Sequence, residues 1–325
     1  MRSPQLFVFG LGFVGEHVAR RACALGWRVA GSCRDSGRAD ALRSSFGIDA
    51  HTFDLDDEYT GLTAAGLAAL AESTHVLATV PPIADLGRDP LLALHPDALV
   101  AAASTAGLRW AGYLSTTSVY GDHLGAWVDE GSETRAEGSR AAERLQAERD
   151  WLGLRDRTAG RLNSHVFRLS GIYGPGRSAL DTVRRKPAER SAGRREGPAR
   201  YVSRVHVDDI TEALIASMSA PALDAQDATY NLSDDEPAAR GEVLAFAAAL
   251  LGIDETSGPS AEPSAEAAAS TPIGEARARR RRKESKRVGN RKMRAKLLPQ
   301  GLTYPTYREG LRAVLAIERG ERKLH

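Results

Sequence analysis

The chain has 325 residues, 42% hydrophobic and 26% charged, enough apolar material for one large α/β unit or two modest domains. A formal net charge of only +2 argues against a global basic field for nucleic acid. Two cysteines, Cys23 and Cys33, make neither a C-x-x-C nor a disulfide framework, and eight histidines include no H-E-x-x-H, so neither an oxidising compartment nor a metal site is indicated. No apolar run approaches the ~20 residues that span a bilayer, and the N-terminus lacks a secretory pattern. The expectation is a soluble, cytoplasmic protein with no membrane partner.

Leu6–Phe9 reads as a buried strand leading straight into Gly10-Leu11-Gly12-Phe13-Val14-Gly15. Phe13–Leu25 reads as a helix closed by Gly26, and Trp27–Ser32 as a second strand. Asp40–Phe46 reads as a helix, and His51–Phe53 as a third strand ending in Asp54. A helix over Ala64–Ala71, a strand over His75–Val80, one helix over Pro90–Ala106 and a strand over Trp110–Ser115 follow. After Gly121, a long helix (Ala136–Arg155) leads to a strand over Ser164–Leu169. Strands alternating with helices predict an α/β fold, a Rossmann-type doubly wound parallel sheet. Beyond Ser170 the texture changes to Gly- and Pro-bearing loops. The division expected is a nucleotide-binding core over residues 1–169 and, over 170–325, a smaller C-terminal substrate lobe with elements returning to the sheet. Gly252–Ala276, rich in Ala, Ser, Pro and Glu, reads as a flexible insertion. Thr306-Tyr307-Arg308-Glu309 has capping-box form and opens a terminal amphipathic helix.

The glycines carry chemistry. Gly10 permits a tight turn, Gly12 lets backbone approach a pyrophosphate, and Gly15 lets the helix pack close to the strand. The helix N-terminus adds unpaired N–H groups and partial positive charge. The plain alternative is a glycine-rich turn without a ligand. At the end of the second strand an acidic residue would bind the ribose hydroxyls of NAD. The sequence there reads Cys33-Arg34, with Asp35 one step further. A guanidinium suits the 2′-phosphate of NADP, so NADP(H) is favoured over NAD(H), unless Arg34 is simply solvated.

Three further stretches, Leu114-Ser115-Thr116-Thr117-Ser118-Val119-Tyr120-Gly121, Arg168-Leu169-Ser170-Gly171-Ile172-Tyr173-Gly174-Pro175-Gly176 and Ser203-Arg204-Val205-His206-Val207-Asp208-Asp209-Ile210, follow the glycines in order. With them the chain resembles the extended short-chain dehydrogenase/reductase superfamily of the NAD-dependent epimerase/dehydratase type. Val80-Pro81-Pro82, Tyr230–Pro237, Ser285-Lys286-Arg287-Val288 and Tyr304–Gly310 make it similar to an atypical subgroup. The resemblance implies cofactor contacts from Gly10, Gly12, Phe13, Val14, Gly15, Arg34, Asp54, Val80, Pro81 and Arg144. It implies substrate contacts from Arg177 and Arg204.

In that superfamily a Ser or Thr ending the fifth strand holds the substrate oxygen, a position that falls on Thr116. A Tyr and a Lys four residues apart on the next helix complete the site. Here the matching positions read Arg140 and Arg144. A guanidinium is a poor proton donor, so ordinary tyrosine-based proton transfer is in doubt. Either Arg144 binds a ribose or phosphate, or the two arginines form a solvated face paired with Glu143 and Glu148. Tyr120 and Tyr173 are substitute acids by position, or packing residues. His206 with Asp208 and Asp209 is a further cluster that organises the lobe.

Val183–Arg200 carries seven Lys/Arg against two Glu, which fits an anionic small-molecule substrate or a solvated loop. Arg277–Lys296 carries twelve Lys/Arg but no interleaved aromatics, which disfavours nucleic acid as a partner. The long helix after the fifth strand offers a homodimer surface by analogy. The expected function is an atypical oxidoreductase or epimerase/dehydratase-like enzyme on a small carbonyl or alcohol, the alternative a non-catalytic NADP(H)-binding redox sensor. Arg34→Ala and Arg34→Glu are expected to weaken NADPH binding more than NADH binding in calorimetric titrations. Equal losses for both cofactors would remove the role of Arg34.

Overall fold

In the computed structural model the residues described are 3–54, 61–83, 86–105, 107–136, 138–185, 200–220, 228–253 and 284–321, with only the backbone of Asp54. Most of the expected insertion, the centre of the Val183–Arg200 segment and residues 277–283 of the second basic run lie outside them.

Five alternations build the first half: β1 (Gln5–Phe9), α1 (Phe13–Ala24), β2 (Arg28–Cys33), α2 (Ser36–Phe46), β3 (Asp49–Asp54), β4 (Gly61–Leu62), α3 (Ala64–Ala71), β5 (His75–Ala78), α4 (Pro90–Leu94), α5 (Ala98–Thr105) and β6 (Trp110–Thr116). A 3-10 turn (Thr117–Tyr120) leads to β7 (Trp127–Val128), α6 (Ser139–Arg157), β8 (Asn163–Leu169) and β9 (Gly171–Tyr173). The rest comprises α7 (Ala179–Arg185), β10 (Tyr201–Val202), β11 (Arg204–His206), α8 (Val207–Ser219), β12 (Thr229–Leu232), β13 (Ala238–Ala239), α9 (Arg240–Leu250), β14 (Arg287–Val288), α10 (Arg291–Lys296) and α11 (Tyr307–Glu318).

The main sheet runs β12-β8-β6-β5-β1-β2-β3-β4, parallel except for β4. The chain steps outward from β1 through β2 and β3, then returns to β5 on the other side. The order reverses between β1 and β5, where a doubly wound sheet opens its ligand crevice.

Period-two alternation in β1 sorts the core. Leu6 and Val8 pack with Val14 and Val18 of α1 and with Ile210 and Leu214 of α8. Phe7 and Phe9 face the other way, onto Leu70 of α3, Leu99 of α5 and Trp151 of α6. Each such fully buried side chain stabilises by about 1.5–3 kcal/mol. A separate cluster joins α7, α9 and α11 through Leu180, Leu244, Tyr307 and Leu311. The capping box at Thr306 and Glu309 is present on α11.

The second helix starts earlier than expected, at Ser36 behind its Asp35 cap, and three other boundaries differ for local reasons. The helix expected over Pro90–Ala106 is two helices, because Pro96 has no N–H to donate and pushes His95 out of the helical region (φ −132, ψ 60). The long helix starts at Ser139, since Gly138 stands before it at φ 81. The fourth parallel strand stops at Ala78, and Thr79 turns its hydroxyl to donate to the Gly10 carbonyl (2.6 Å).

Beneath the sheet's C-terminal edge lies a buried ion pair. Arg168 on β8 donates to Glu148 on α6 through Nε and Nη2, the latter at 2.7 Å. Ser115 of β6 donates to the same carboxylate, and Arg168 Nη1 donates to the Tyr120 hydroxyl at 3.0 Å. The glutamate neutralises an arginine that would otherwise carry an uncompensated buried charge. Glu148→Gln is expected to cost about 3–5 kcal/mol in urea unfolding, whereas a loss under about 1 kcal/mol would show that the pair does not brace the sheet.

Candidate active site

The N-terminal glycines have separable steric roles. Gly10 sits at φ +102, and a Cβ there would meet Thr79 Oγ1 and Val80 Cγ2 at 2.6 Å each. A Cβ on Gly15 would strike the Gly10 carbonyl oxygen and press on Val8. These two positions let α1 abut β1. Gly12 differs, because its side-chain position faces open space with nothing within 4 Å. It is also the N-cap of α1, and no side chain caps that end. The first N–H groups of a twelve-residue helix therefore point at an open concavity, the arrangement that suits a pyrophosphate. The residues present fit a dinucleotide.

A cavity of about 570 Å³ begins at Gly12 and runs along the C-terminal ends of β6 and β8. Phe13, Val14, Thr79, Thr116, Arg144 and Arg177 are on its wall. Thr116 is half-buried and its Oγ1 accepts from Ser118 N at 3.2 Å, so the turn after β6 fixes its hydroxyl. Arg144 donates to the Leu114 carbonyl (2.8 Å) and to the Tyr113 hydroxyl (3.2 Å). It thus stands against the end of β6, while Arg140 is exposed and off the cavity wall. Glu148 does not pair with either arginine, contrary to the solvated-face reading, because Arg168 and Ser115 hold it inside.

A second cavity, about 900 Å³, shares Phe13, Ile172 and Arg177 with the first. Among the described residues four arginines line it, Arg177, Arg185, Arg204 and Arg240, and no Asp or Glu does. Arg204 is anchored by donating to the Val202 carbonyl (2.8 Å) and the Ala238 carbonyl (3.0 Å). Burial pulls its ionisation below the usual guanidinium value, and burial pushes the Asp234 carboxyl nearby up to about 8 against the pull of Arg204.

Two sequence expectations need correction. Tyr120 is fully buried and its hydroxyl is spent, donating to Asn231 Oδ1 at 2.8 Å and accepting from Arg168. Burial raises its ionisation further, so it is not a proton donor at the cavity. Tyr173 touches only the second cavity among the two, and its hydroxyl points at α11, 3.5 Å from the Thr306 carbonyl. Burial holds its ionisation well above the ordinary phenol value. His206 is likewise buried, capping α8 through Asp208 N and packed between Tyr173 and Tyr304.

Arg34 is exposed at the end of β2. Asp35 turns away to cap α2, accepting from Arg38 N at 2.7 Å. Arg38, which the sequence reading passed over, donates to the Leu11 carbonyl (3.1 Å) and to Glu16 (2.8 Å), so it flanks the glycine loop. The i, i+4 spacing from Arg34 was its one available signal. Val80 and Pro81 follow β5 beside Gly10. Asp54 ends β3, and its side chain is outside the description. Lys286 and Tyr201, also passed over as site residues, lie on the first cavity's wall. Among the described residues no helix is long and apolar enough to cross a membrane, and no cluster of His, Cys, Asp or Glu could hold a metal.

A doubly wound sheet with an open glycine loop at its switch point defines a nucleotide-binding α/β protein. The chain belongs to the NAD-dependent epimerase/dehydratase family, whose model matches residues 6–233. It is 27% identical to Protein YeeZ of Escherichia coli K12 over 249 residues, 76% of this chain and 84% of that one. A functionally unknown conserved protein from Silicibacter pomeroyi shares 34% identity at a TM-score of 0.73, covering 97% of this chain and 99% of that one. MoeE5, solved with UDP-glucuronic acid and NAD, shares the fold at 20% identity and a TM-score of 0.67, covering 98% of this chain and all of that one.

Gly12→Val is expected to change stability by about 1 kcal/mol or less, since its side chain enters open space, yet to abolish dinucleotide binding. Gly15→Val is expected to lower the melting temperature clearly, as overpacking does. Undiminished cofactor binding by Gly12→Val would disconnect the loop from the ligand.

Proposed function

We infer that the chain is an NADP(H)-dependent oxidoreductase of the epimerase/dehydratase type, acting on a small anionic carbonyl or alcohol. The observation that carries this reading is the open face of Gly12 at the uncapped start of α1, leading directly into the 570 Å³ cavity. The glycine loop and the α1 N-terminus would hold the pyrophosphate. Arg144 would reach a ribose from the end of β6, and Thr116 Oγ1 would hold the substrate oxygen. When bound, the cofactor supplies the hydride chemistry, and the protein supplies orientation.

The preference for NADP(H) rests on Arg34 just after β2 and Arg38 in the first turn of α2, together with the engagement of Asp35 as a helix cap. A guanidinium matches the oxygens of a 2′-phosphate, whereas a free carboxylate would match ribose hydroxyls. The NAD in the MoeE5 complex sets the opposing expectation. An anionic substrate is supported by the four arginines that the described residues place on the wall of the second cavity. The UDP-glucuronic acid of MoeE5 is itself an anion.

One observation favours a second reading, a non-catalytic NADP(H)-binding sensor: Tyr120 is tied into the core, where the family resemblance already matches Arg140 and Arg144 to the usual Tyr and Lys positions. Turnover separates the two. An enzyme consumes NADPH with members of a panel of anionic carbonyls, and Thr116→Val cuts that rate about 100-fold, the scale of losing one oriented hydroxyl at a reacting oxygen. Thr116→Ser, which keeps the hydroxyl and the Ser118 contact, retains most of it. Tight NADPH binding with no turnover across the panel would favour the sensor.

A further inference from the structure

We propose that Lys286 is the proton-carrying group of this site, supplying from the C-terminal segment what the α6 arginines cannot. The proposal rests on the oxidoreductase reading above. β14 pairs in parallel with β7, Arg287 opposite Trp127, and this pairing brings the segment's start to the wall of the first cavity. Lys286 lies on that wall with Thr116 and Arg144. Its side chain is 11% exposed, and Nζ donates to the Gly121 carbonyl (2.8 Å) and to Glu284 Oε2 (3.4 Å). An ammonium has three N–H bonds, so one donor remains beyond those two contacts.

Elimination points the same way. Among the described residues the ionisable side chains on that wall are Arg144, Arg177, Tyr201, Glu284 and Lys286. The guanidiniums do not release protons. The ring of Tyr201 lies under the Arg287 guanidinium, 3.9 Å from centroid to Cζ, and the residue is half-exposed. Glu284 accepts from Lys286 and is the more exposed of the two, which makes it a path for proton return. Composition adds an independent argument. Only six of the chain's 44 basic residues are lysines. A group needed only to cap the Gly121 carbonyl could be an arginine like most others, but only an amine can discharge its proton.

The charged groups around Nζ set its poise. Burial draws its ionisation below the usual amine value, while the carboxylates of Glu284 and Asp122 oppose that shift. Arg144 from α6 and Arg177 from the loop after β9 share its cavity. In the reductive direction the Nζ–H bond breaks and an O–H bond forms on the substrate oxygen, using the electron pair of the C=O π bond. A bound reduced nicotinamide dinucleotide would supply the hydride to the carbon. Nζ is left as a neutral amine and regains its proton from solvent by way of Glu284.

The test needs no known substrate. Competitive labelling of the full chain with trace acetic anhydride across pH, read by peptide mass spectrometry, gives each lysine its own titration curve. Lys286 is expected to titrate below the other lysines. With NADP+ bound it should titrate lower than with NADPH bound, because only the oxidised ring is positive. A Lys286 that titrates with the others, or identically in the two complexes, overturns the proposal. Failure of either cofactor to bind in calorimetry would instead sink the oxidoreductase reading. As a second arm, Lys286→Met and Lys286→Arg are expected to slow NADPH-dependent reduction of 9,10-phenanthrenequinone about 100-fold, with NADPH affinity unchanged within about threefold. Loss in Tyr201→Phe with retention in Lys286→Arg would transfer the role to the phenol.

Discussion

Helix α1 can abut strand β1 only because residue 15 carries no side chain. A Cβ there would collide with the Gly10 carbonyl, and one on Gly10 would collide with Thr79 and Val80. That double constraint sets where the helix begins and which way its first N–H groups point. The parallel sheet then does the rest. The order reverses between β1 and β5, so the loop after β1 opens into a crevice rather than onto another strand. Gly12 alone among the three faces that crevice freely. The loop is therefore a backbone surface held open by its two neighbours.

The opposite wall is shaped by buried electrostatics. Glu148 and Arg168 cross-link α6 to β8, and they draw Ser115 and Tyr120 into the same network. The network fixes the end of β6, which presents Thr116 to the cavity. It also removes from the site the tyrosine that sequence position favours. The amine of Lys286 reaches the same wall from just before β14, far along the chain, anchored on the Gly121 carbonyl directly after that tied-down turn. The same folding constraint that withdraws one acid thus creates the mooring for another group. Beyond it, arginines from β11, α7, α9 and the loop after β9 surround a second cavity.

The sheet, the order of its elements and the family were legible because they rest on local patterns. A buried run before three spaced glycines reads correctly without any distant information. The break at His95-Pro96 was also written locally, in the proline, but the apolar content on both sides masked it. The fate of Tyr120 was not legible. Its partners Arg168 and Asn231 lie 48 and 111 residues away, and nothing near residue 120 announces them. Lys286 and Gly121 are 165 residues apart, so their contact too exists only in three dimensions. Arg38 was closer to view, since it follows Arg34 by one helical turn, but its tie to the Leu11 carbonyl belongs to the fold.

The central claim is that the open glycine loop holds a nicotinamide dinucleotide and that Arg34 after β2 and Arg38 in α2 select its phosphorylated form. The most direct measurement is a side-by-side calorimetric titration of the purified full chain with NADPH and NADH. The account predicts one site per chain and tighter binding of NADPH. No binding of either cofactor would mean that the glycines only pack a turn, and equal or tighter binding of NADH would contradict the role given to Arg34 and Arg38.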